Sequence, residues 1–312
     1  MYPFGQGGFL GKIAVDTDRL VKEAPGPGAT AAQVLARGDG WLVDEVVCTY
    51  GPSDMPFEEQ HDNVAVAIVL AGSFQYRTST GHALMTPGSL LLGNPGQPFI
   101  CSHEHGRGDR CLSFRFAPGM FENLAAAAGV RRRPDFTQPR IPPLKALSPL
   151  LARACAGIVE PTGVSWEELC VEIASEAMRL SRGISNRPTE GPPGAAARVT
   201  RTIRLIERHP ETALTLEVLS REARLSPYHF LRTFQMLTGV TPHQYLLRVR
   251  LRHAALWLAS RSSSILDVAL DCGFGDLSSF NRAFRAEFGV NPRRYRGDGH
   301  IGRPAEPEPK PF

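Results

Sequence analysis

Ser264-Ile-Leu-Asp-Val-Ala-Leu-Asp-Cys-Gly-Phe-Gly-Asp-Leu-Ser-Ser-Phe-Asn-Arg-Ala-Phe-Arg-Ala-Glu-Phe288 reads as a helix, a tight turn and a second helix. Ile265, Val268 and Ala269 share one face of the first segment at three- and four-residue spacing. Gly273 and Gly275 break the pattern, and Asp276 is a suitable N-cap for the second helix. Phe280, Phe284 and Phe288 recur every fourth residue, an aromatic stripe that must be buried. Leu277, Ser278, Asn281, Arg282 and Arg285 are left on the opposite face. Gly289 stands next as a C-terminal glycine. A short helix that positions a second one with a polar, basic outer face is the geometry that enters a DNA major groove.

The same layout occurs once more upstream. Leu214–Ala223 is followed by a break at Arg224-Leu225-Ser226 and by Pro227–Thr238. Leu216, Leu219 and Ala223 form the inner face of the first helix. Ser226 caps the second, with Pro227 at its first position. Phe230, Phe234 and Leu237 are expected inside, and Tyr228, His229, Leu231, Arg232 and Gln235 outside. Phe234, Gly239 and Pro242 repeat the spacing of Phe284, Gly289 and Pro292, so the two units form an internal repeat with different outer surfaces. Between them, Pro242 to Ser260 reads as one helix, spanning about 28 Å at 1.5 Å per residue. Successive major grooves on one face of B-DNA lie ~34 Å apart. Arg232 and Arg282 occupy equivalent turns, and each could contact a guanine with both arms of its guanidinium.

Charge points the same way. Arg198–Arg296 holds 16 arginines, no lysine and eight acidic residues, a net of +8 against +4 for the whole chain. The excess lies where phosphates would be met.

From about Arg198 to Arg296 the chain resembles the DNA-binding domain of the AraC/XylS family of bacterial transcription regulators. The residues that carry the resemblance are Ile265 with the Asp267-Val268-Ala269 stretch, Gly273-Phe274, Phe280-Asn-Arg-Ala-Phe-Arg285, and the closing Gly289, Pro292 and Tyr295-Arg296. Leu277 departs from the family, which often has a polar residue there; a thymine methyl is its natural partner. The resemblance implies sequence-specific binding of double-stranded promoter DNA, and most relatives activate transcription through contact with RNA polymerase. It also implies an N-terminal sensor domain for a small-molecule effector, and a homodimer.

The N-terminal half is consistent with that partner. Trp41–Tyr50, Val64–Leu70, Ser73–Thr78, Ala83–Met85, Ser89–Gly93 and Cys111–Phe116 are short β-like runs punctuated by Pro and Gly. They predict a small antiparallel barrel or sandwich. Thr86-Pro-Gly-Ser-Leu-Leu-Leu92 resembles the turn-and-strand step of cupin barrels. Pro143–Ile158 and Ser165–Arg182 read as amphipathic helices. The Trp166, Leu169, Ile173, Ala177 and Leu180 stripe serves either to cover the barrel or to pair subunits. The expected architecture is thus α+β in two domains: a cupin-like sensor domain over 1–182 with its barrel at about 30–117, and an all-α reader at 198–296. A flexible tether spans 183–197, rich in Pro, Gly and Ala, and a disordered tail spans 297–312.

Cys101-Ser-His103-Glu-His105-Gly-Arg-Gly-Asp-Arg-Cys111 is a second candidate site. On a strand, Cys101, His103 and His105 would share one face. With Cys111, and with Cys48 and His61 on neighbouring segments, they offer sulfur and nitrogen donors suited to zinc. Oxidant sensing by thiols and an ordinary polar loop are the alternatives. A cupin-type metal enzyme would use the same histidines but leaves the C-terminal repeat unexplained. A DNA-repair methyltransferase would need a grouped cysteine cluster that this sequence lacks. Six scattered cysteines form no disulfide framework. No apolar run is long enough to cross a membrane, and Met1–Phe9 lacks the pattern of a secretory leader. A cytoplasmic, non-enzymatic regulator is the expectation.

Overall fold

The computed structural model describes residues 28–56, 58–129, 134–159, 163–183, 191–260 and 263–297. Met1–Phe9, residues 184–190 of the expected tether and the tail beyond Gly297 lie outside the described residues.

Among the described residues, ten strands form two antiparallel sheets. They are β1 Thr30–Gly38, β2 Trp41–Cys48, β3 Glu58–Gln60, β4 Val64–Gly72, β5 Phe74–Thr78, β6 Gly81–Met85, β7 Leu90–Gly93, β8 Pro98–Ser102, β9 Asp109–Phe116 and β10 Arg140–Ile141. One sheet runs β1-β2-β9-β4-β7-β10 and the other β3-β8-β5-β6. Strand β4, Val64-Ala-Val-Ala-Ile-Val-Leu-Ala-Gly72, is buried on both faces, and the alternation of its side chains divides their work. Val64, Val66, Ile68 and Leu70 pack into a core shared with the helices beyond the strands. Ala67 and Val69 face Phe74, Tyr76 and Met85 of the second sheet. Small alanines on that inner face leave a cavity of about 310 Å³ between the sheets.

Helices α1 (Pro118–Ala127), α2 (Ser148–Val159) and α3 (Trp166–Ser181) come next in the chain. Ser165 caps α3, its Oγ accepting from the Glu168 N–H at 3.3 Å. Trp166, Leu169, Ile173 and Ala177 lie in the same core as Val66 and Ile68. The apolar stripe therefore covers the sheet, and subunit pairing through that face is ruled out because the sheet occupies it.

The C-terminal half contains α4 (Ala195–Arg208), α5 (Leu216–Glu222), α6 (Pro227–Thr238), α7 (Pro242–Ser260), α8 (Ile265–Asp271), α9 (Leu277–Phe288) and α10 (Pro292–Gly297). Helix α4 starts at Ala195, so the end of the expected tether is helical. Phe230 and Phe234 pack with Val199, Ile203, Ile206 and Tyr245, while Phe280, Phe284 and Phe288 pack with Leu251 and Trp257. Leu219 and Ala223 are inside as expected, but Leu216 is 40% exposed. Leu216 is the first residue of α5, where the core does not reach.

Helix α7 links the two cores and also carries the interface with the barrel domain. Tyr245 Oη donates to Glu207 Oε1 at 2.7 Å and reaches the Pro87 carbonyl at 3.3 Å. Arg248 donates to the Pro143 carbonyl at 2.9 Å and lies 3.6 Å from Glu287. Arg252, nearly fully buried, lies 3.6 Å from Glu207.

Candidate nucleic-acid interface and barrel cavity

Each unit builds its outer face from its turn. In the first, Ser226 Oγ accepts from the His229 N–H at 3.4 Å and Pro227 opens α6. In the second, Asp276 Oδ1 accepts from the Ser279 N–H at 2.7 Å; these bonds hold the Asp276 carboxyl below the ordinary carboxylate range. Gly239 and Gly289 end α6 and α9 in the left-handed conformation, with φ of 81° and 78°. With Phe230 and Phe234, then Phe280 and Phe284, fully buried, helical geometry turns the remaining positions outward.

Tyr228, His229, Arg232 and Gln235 are exposed on α6, whereas Leu231 is only half-exposed. Leu277, Ser278, Asn281, Arg282 and Arg285 are exposed on α9. The Arg232 guanidinium donates to Tyr228 Oη at 3.1 Å and lies 5.7 Å from the centre of that ring. This pair pre-orders the arginine along the helix. His229 Nδ1 lies 2.8 Å from Ser226 Oγ, which fixes the imidazole against the cap.

The outward charge excess is smaller than the arginine count of the segment implies. Arg248 and Arg252 face the barrel domain and α4, and Arg250 donates to the Pro210 and Thr212 carbonyls at 2.6 and 2.8 Å. These three arginines bind the domain together and are not laid out for phosphate. Arg293 and Arg294, exposed at the start of α10, are absent from the faces that helical spacing singles out. They lie just after Gly289, the glycine that ends the recognition helix.

The second site lies between the sheets. The cavity is lined by Ala65, Ala67, Phe74, Leu91 and Phe99, with Cys48, Cys101, Asp109, Cys111, His61 and Arg115 among its polar atoms. His61 stacks on Phe99 with ring centres 4.2 Å apart, and its Nε2 lies 2.7 Å from Tyr76 Oη. Burial pushes the His61 imidazole down to about 4, so it is neutral at physiological pH. Burial, with Asp109 adding to it, pushes the Cys48 thiol up to about 12 and raises Cys101 and Cys111 as well.

The expected quartet of Cys101, His103, His105 and Cys111 is not brought together. Strand β8 ends at Ser102, so the alternation that would align Cys101, His103 and His105 stops there. Cys101 lines the cavity. His103 is buried, with Nε2 2.6 Å from Asp109 Oδ2. His105 sits half-exposed in the turn, 3.8 Å from Glu104. Cys48, His103 and Asp109 converge instead. Asp109 was missed because no spacing rule links it to His103.

An antiparallel double-sheet domain enclosing a ligand-sized cavity, joined to two helix–turn–helix units on a common helix, defines a two-domain sensor-and-reader protein. Two family models match: "Helix-turn-helix domain" over residues 219–298 and "AraC-like ligand binding domain" over residues 51–178. The chain belongs to the AraC/XylS family of transcription regulators.

It is similar to the probable transcriptional regulator LumQ of Photobacterium leiognathi, with 41% identity over 91 residues, 29% of this chain and 37% of that protein. It is also similar to the HTH-type transcriptional regulator ArgR of Pseudomonas aeruginosa, with 29% identity over 206 residues, 59% of this chain and 61% of that protein. The matches thus span less than two thirds of these curated relatives. Among solved structures, the DNA-binding domain of AdpA in complex with a target DNA shares 29% identity over 32% of this chain and 91% of that one, with a TM-score of 0.32. ToxT from Vibrio cholerae with a bound unsaturated fatty acid shares 12% identity over 84% of this chain and 96% of that one, with a TM-score of 0.35.

Proposed function

We propose that this protein binds promoter DNA through both recognition helices and regulates transcription in response to a ligand held in its N-terminal domain. The observation that carries the reading is the pair of exposed faces on α6 and α9, each backed by a buried phenylalanine stripe. Arg232 and Arg282 are the base readers, one per unit, and Tyr228, His229, Leu231, Gln235, Leu277, Ser278, Asn281 and Arg285 complete the two surfaces. Several of these would meet phosphate only.

The cavity between the sheets is the effector site, sized for a small organic molecule. The interface on α7 is the route from sensor to reader, since that helix touches the barrel domain and both cores. Activation through RNA polymerase, action as a homodimer, work in the cytoplasm and the lack of catalytic activity follow from the family reading. With the α3 stripe buried on the sheet, a dimer would use the outer face of α3, where Val171 is 37% exposed.

Selection of bound fragments from random DNA by the full chain, then footprinting, tests the proposal. Two protected major-groove segments about one helical turn apart are expected, with affinity falling steeply as salt rises. Protection of a single segment, or binding without sequence preference, would overturn it.

A further inference from the structure

A buried set of mixed donors stands apart from both recognition helices. Cys48 is the last residue of β2 and Asp109 the first of β9, and the two are register partners across that antiparallel pair. His103 arrives from the loop between β8 and β9. One donor atom each from Cys48, His103 and Asp109 lies within 4.8 Å of the other two, and all three residues are buried. Cys111, two residues further along the same face of β9, has Sγ 3.3 Å from Asp109 Oδ1. A histidine–carboxylate hydrogen bond alone would account for His103 and Asp109. It would not account for two thiols gathered on the same carboxylate.

We propose that Cys48, His103, Asp109 and Cys111 form a binding site for a divalent ion of borderline softness, zinc above all. Two sulfurs, one nitrogen and one oxygen form a donor set suited to such an ion. Zinc bonds of about 2.0–2.3 Å place tetrahedral ligand atoms roughly 3.3–3.8 Å apart. The His103–Asp109 contact of 2.6 Å must open by about an ångström, any spacing near the 4.8 Å bound among Cys48, His103 and Asp109 must close by about one, and Cys111, held at Asp109 outside that group, must swing toward the other ligands. On binding, the ion replaces the His103–Asp109 hydrogen bond, and the thiol protons of Cys48 and Cys111 leave to solvent. Cys101 and His105 are not ligands.

The site also adjoins the reader. The loop between His103 and Asp109 lies against α4: a Cβ built on Gly106 would come within 2.5 Å of the Arg204 guanidinium. Ser73, next to the Gly72 that pairs with Asp109, has Oγ 3.5 Å from Thr200 Oγ1. An ion that reorders this loop is felt by the first helix of the DNA-binding half. This coupling rests on the proposed function; the site itself does not.

The test uses the full chain, stripped of metal under reducing conditions and titrated with Co²⁺ and Zn²⁺ against a chromophoric chelator. One ion per chain is expected, with the visible bands of tetrahedral Co²⁺ and a near-ultraviolet thiolate charge-transfer band. Asp109→Asn and Cys48→Ser should each lower affinity by more than the roughly 10–100-fold typical of outer-shell changes. Cys101→Ser and His105→Ala should leave it unchanged. Should Asp109→Asn fail to fold, loss of charge-transfer intensity in Cys48→Ser and in Cys111→Ser decides the ligands. No stoichiometric binding by the folded chain, binding indifferent to Cys48 and Cys111, or a Cys48–Cys111 disulfide formed in place of metal uptake would each overturn the site. Ion binding that leaves DNA affinity unchanged would uphold the site and overturn the coupling.

Discussion

Arg140 and Leu237 belong to different halves of the molecule and are joined by one buried hydrogen bond. The Arg140 guanidinium donates from Nη1 to the Leu237 carbonyl at 2.7 Å, in the last turn of the first recognition helix. The same nitrogen reaches the Leu84 carbonyl of β6 at 2.6 Å. Burial brings the Arg140 group down to about 10, which leaves it charged at neutral pH. A cation thus closes the end of α6 from outside its own domain, where the helix dipole favours it.

Replacing Arg140 with Met should cost about 2–4 kcal/mol, because two buried carbonyls lose a charged donor at once. Chemical denaturation checks the loss. If the interface couples the halves, the variant should also show two transitions where the parent shows one. A single unshifted transition would mean that the contact contributes nothing.

Arg232→Ala and Arg282→Ala should each weaken specific binding by about 1–3 kcal/mol, with preference relaxed in only one half of the site. Competition binding with single-base variants of the selected site reads this directly. Loss that is equal across all sequences would reassign the residue to phosphate.

Arg224 has φ of 53°, the one positive value at a non-glycine position among the described residues. It occupies the turn of the first unit where the second has Gly273, with φ of 82°. The left-handed conformation costs an ordinary residue about 1 kcal/mol or more. Arg224→Gly should therefore raise stability by up to ~1 kcal/mol. Gly273→Ala should lower it by more, since a Cβ there would come within 2.6 Å of the Glu211 carbonyl. Paired thermal melts of the two variants check both signs.

Acid should destabilise the protein through two histidines. Burial lowers His61 to about 4 and His253 to about 3, both below the value of about 6.5 in the unfolded chain. Between those limits the unfolded state binds more protons, so stability present above pH ~6.5 is lost as pH falls toward 4 and then 3. His253→Leu should flatten the pH dependence of the denaturation midpoint across that window. An unchanged slope would show that His253 is protonated in the fold.

The helix–turn–helix repeat was legible because it is local. The phenylalanine stripe, the caps at Ser226 and Asp276 and the glycines at 239 and 289 act within a few residues of one another, and α6 and α7 run from and to the residues expected. Leu216 shows the limit of the same rule: periodicity gives a face, but a helix end can outrun the core.

Contacts distant in sequence could not be read that way. That Cys48 faces Asp109 results from the register of β2 against β9, which the pairing of whole strands sets. The end of β8 at Ser102 split the expected Cys101–His105 alignment, since a turn cancels the two-residue period. The α3 stripe was ambiguous alone because burial on a sheet and burial on a second subunit need the same apolar face. The sequence by itself determined two recognition helices and their outward residues, because helical spacing is a property of neighbours along the chain. Only the tertiary structure decided which arginines stay outside, which donors meet in the barrel and how Arg140 ties sensor to reader, because each depends on groups joined by packing alone.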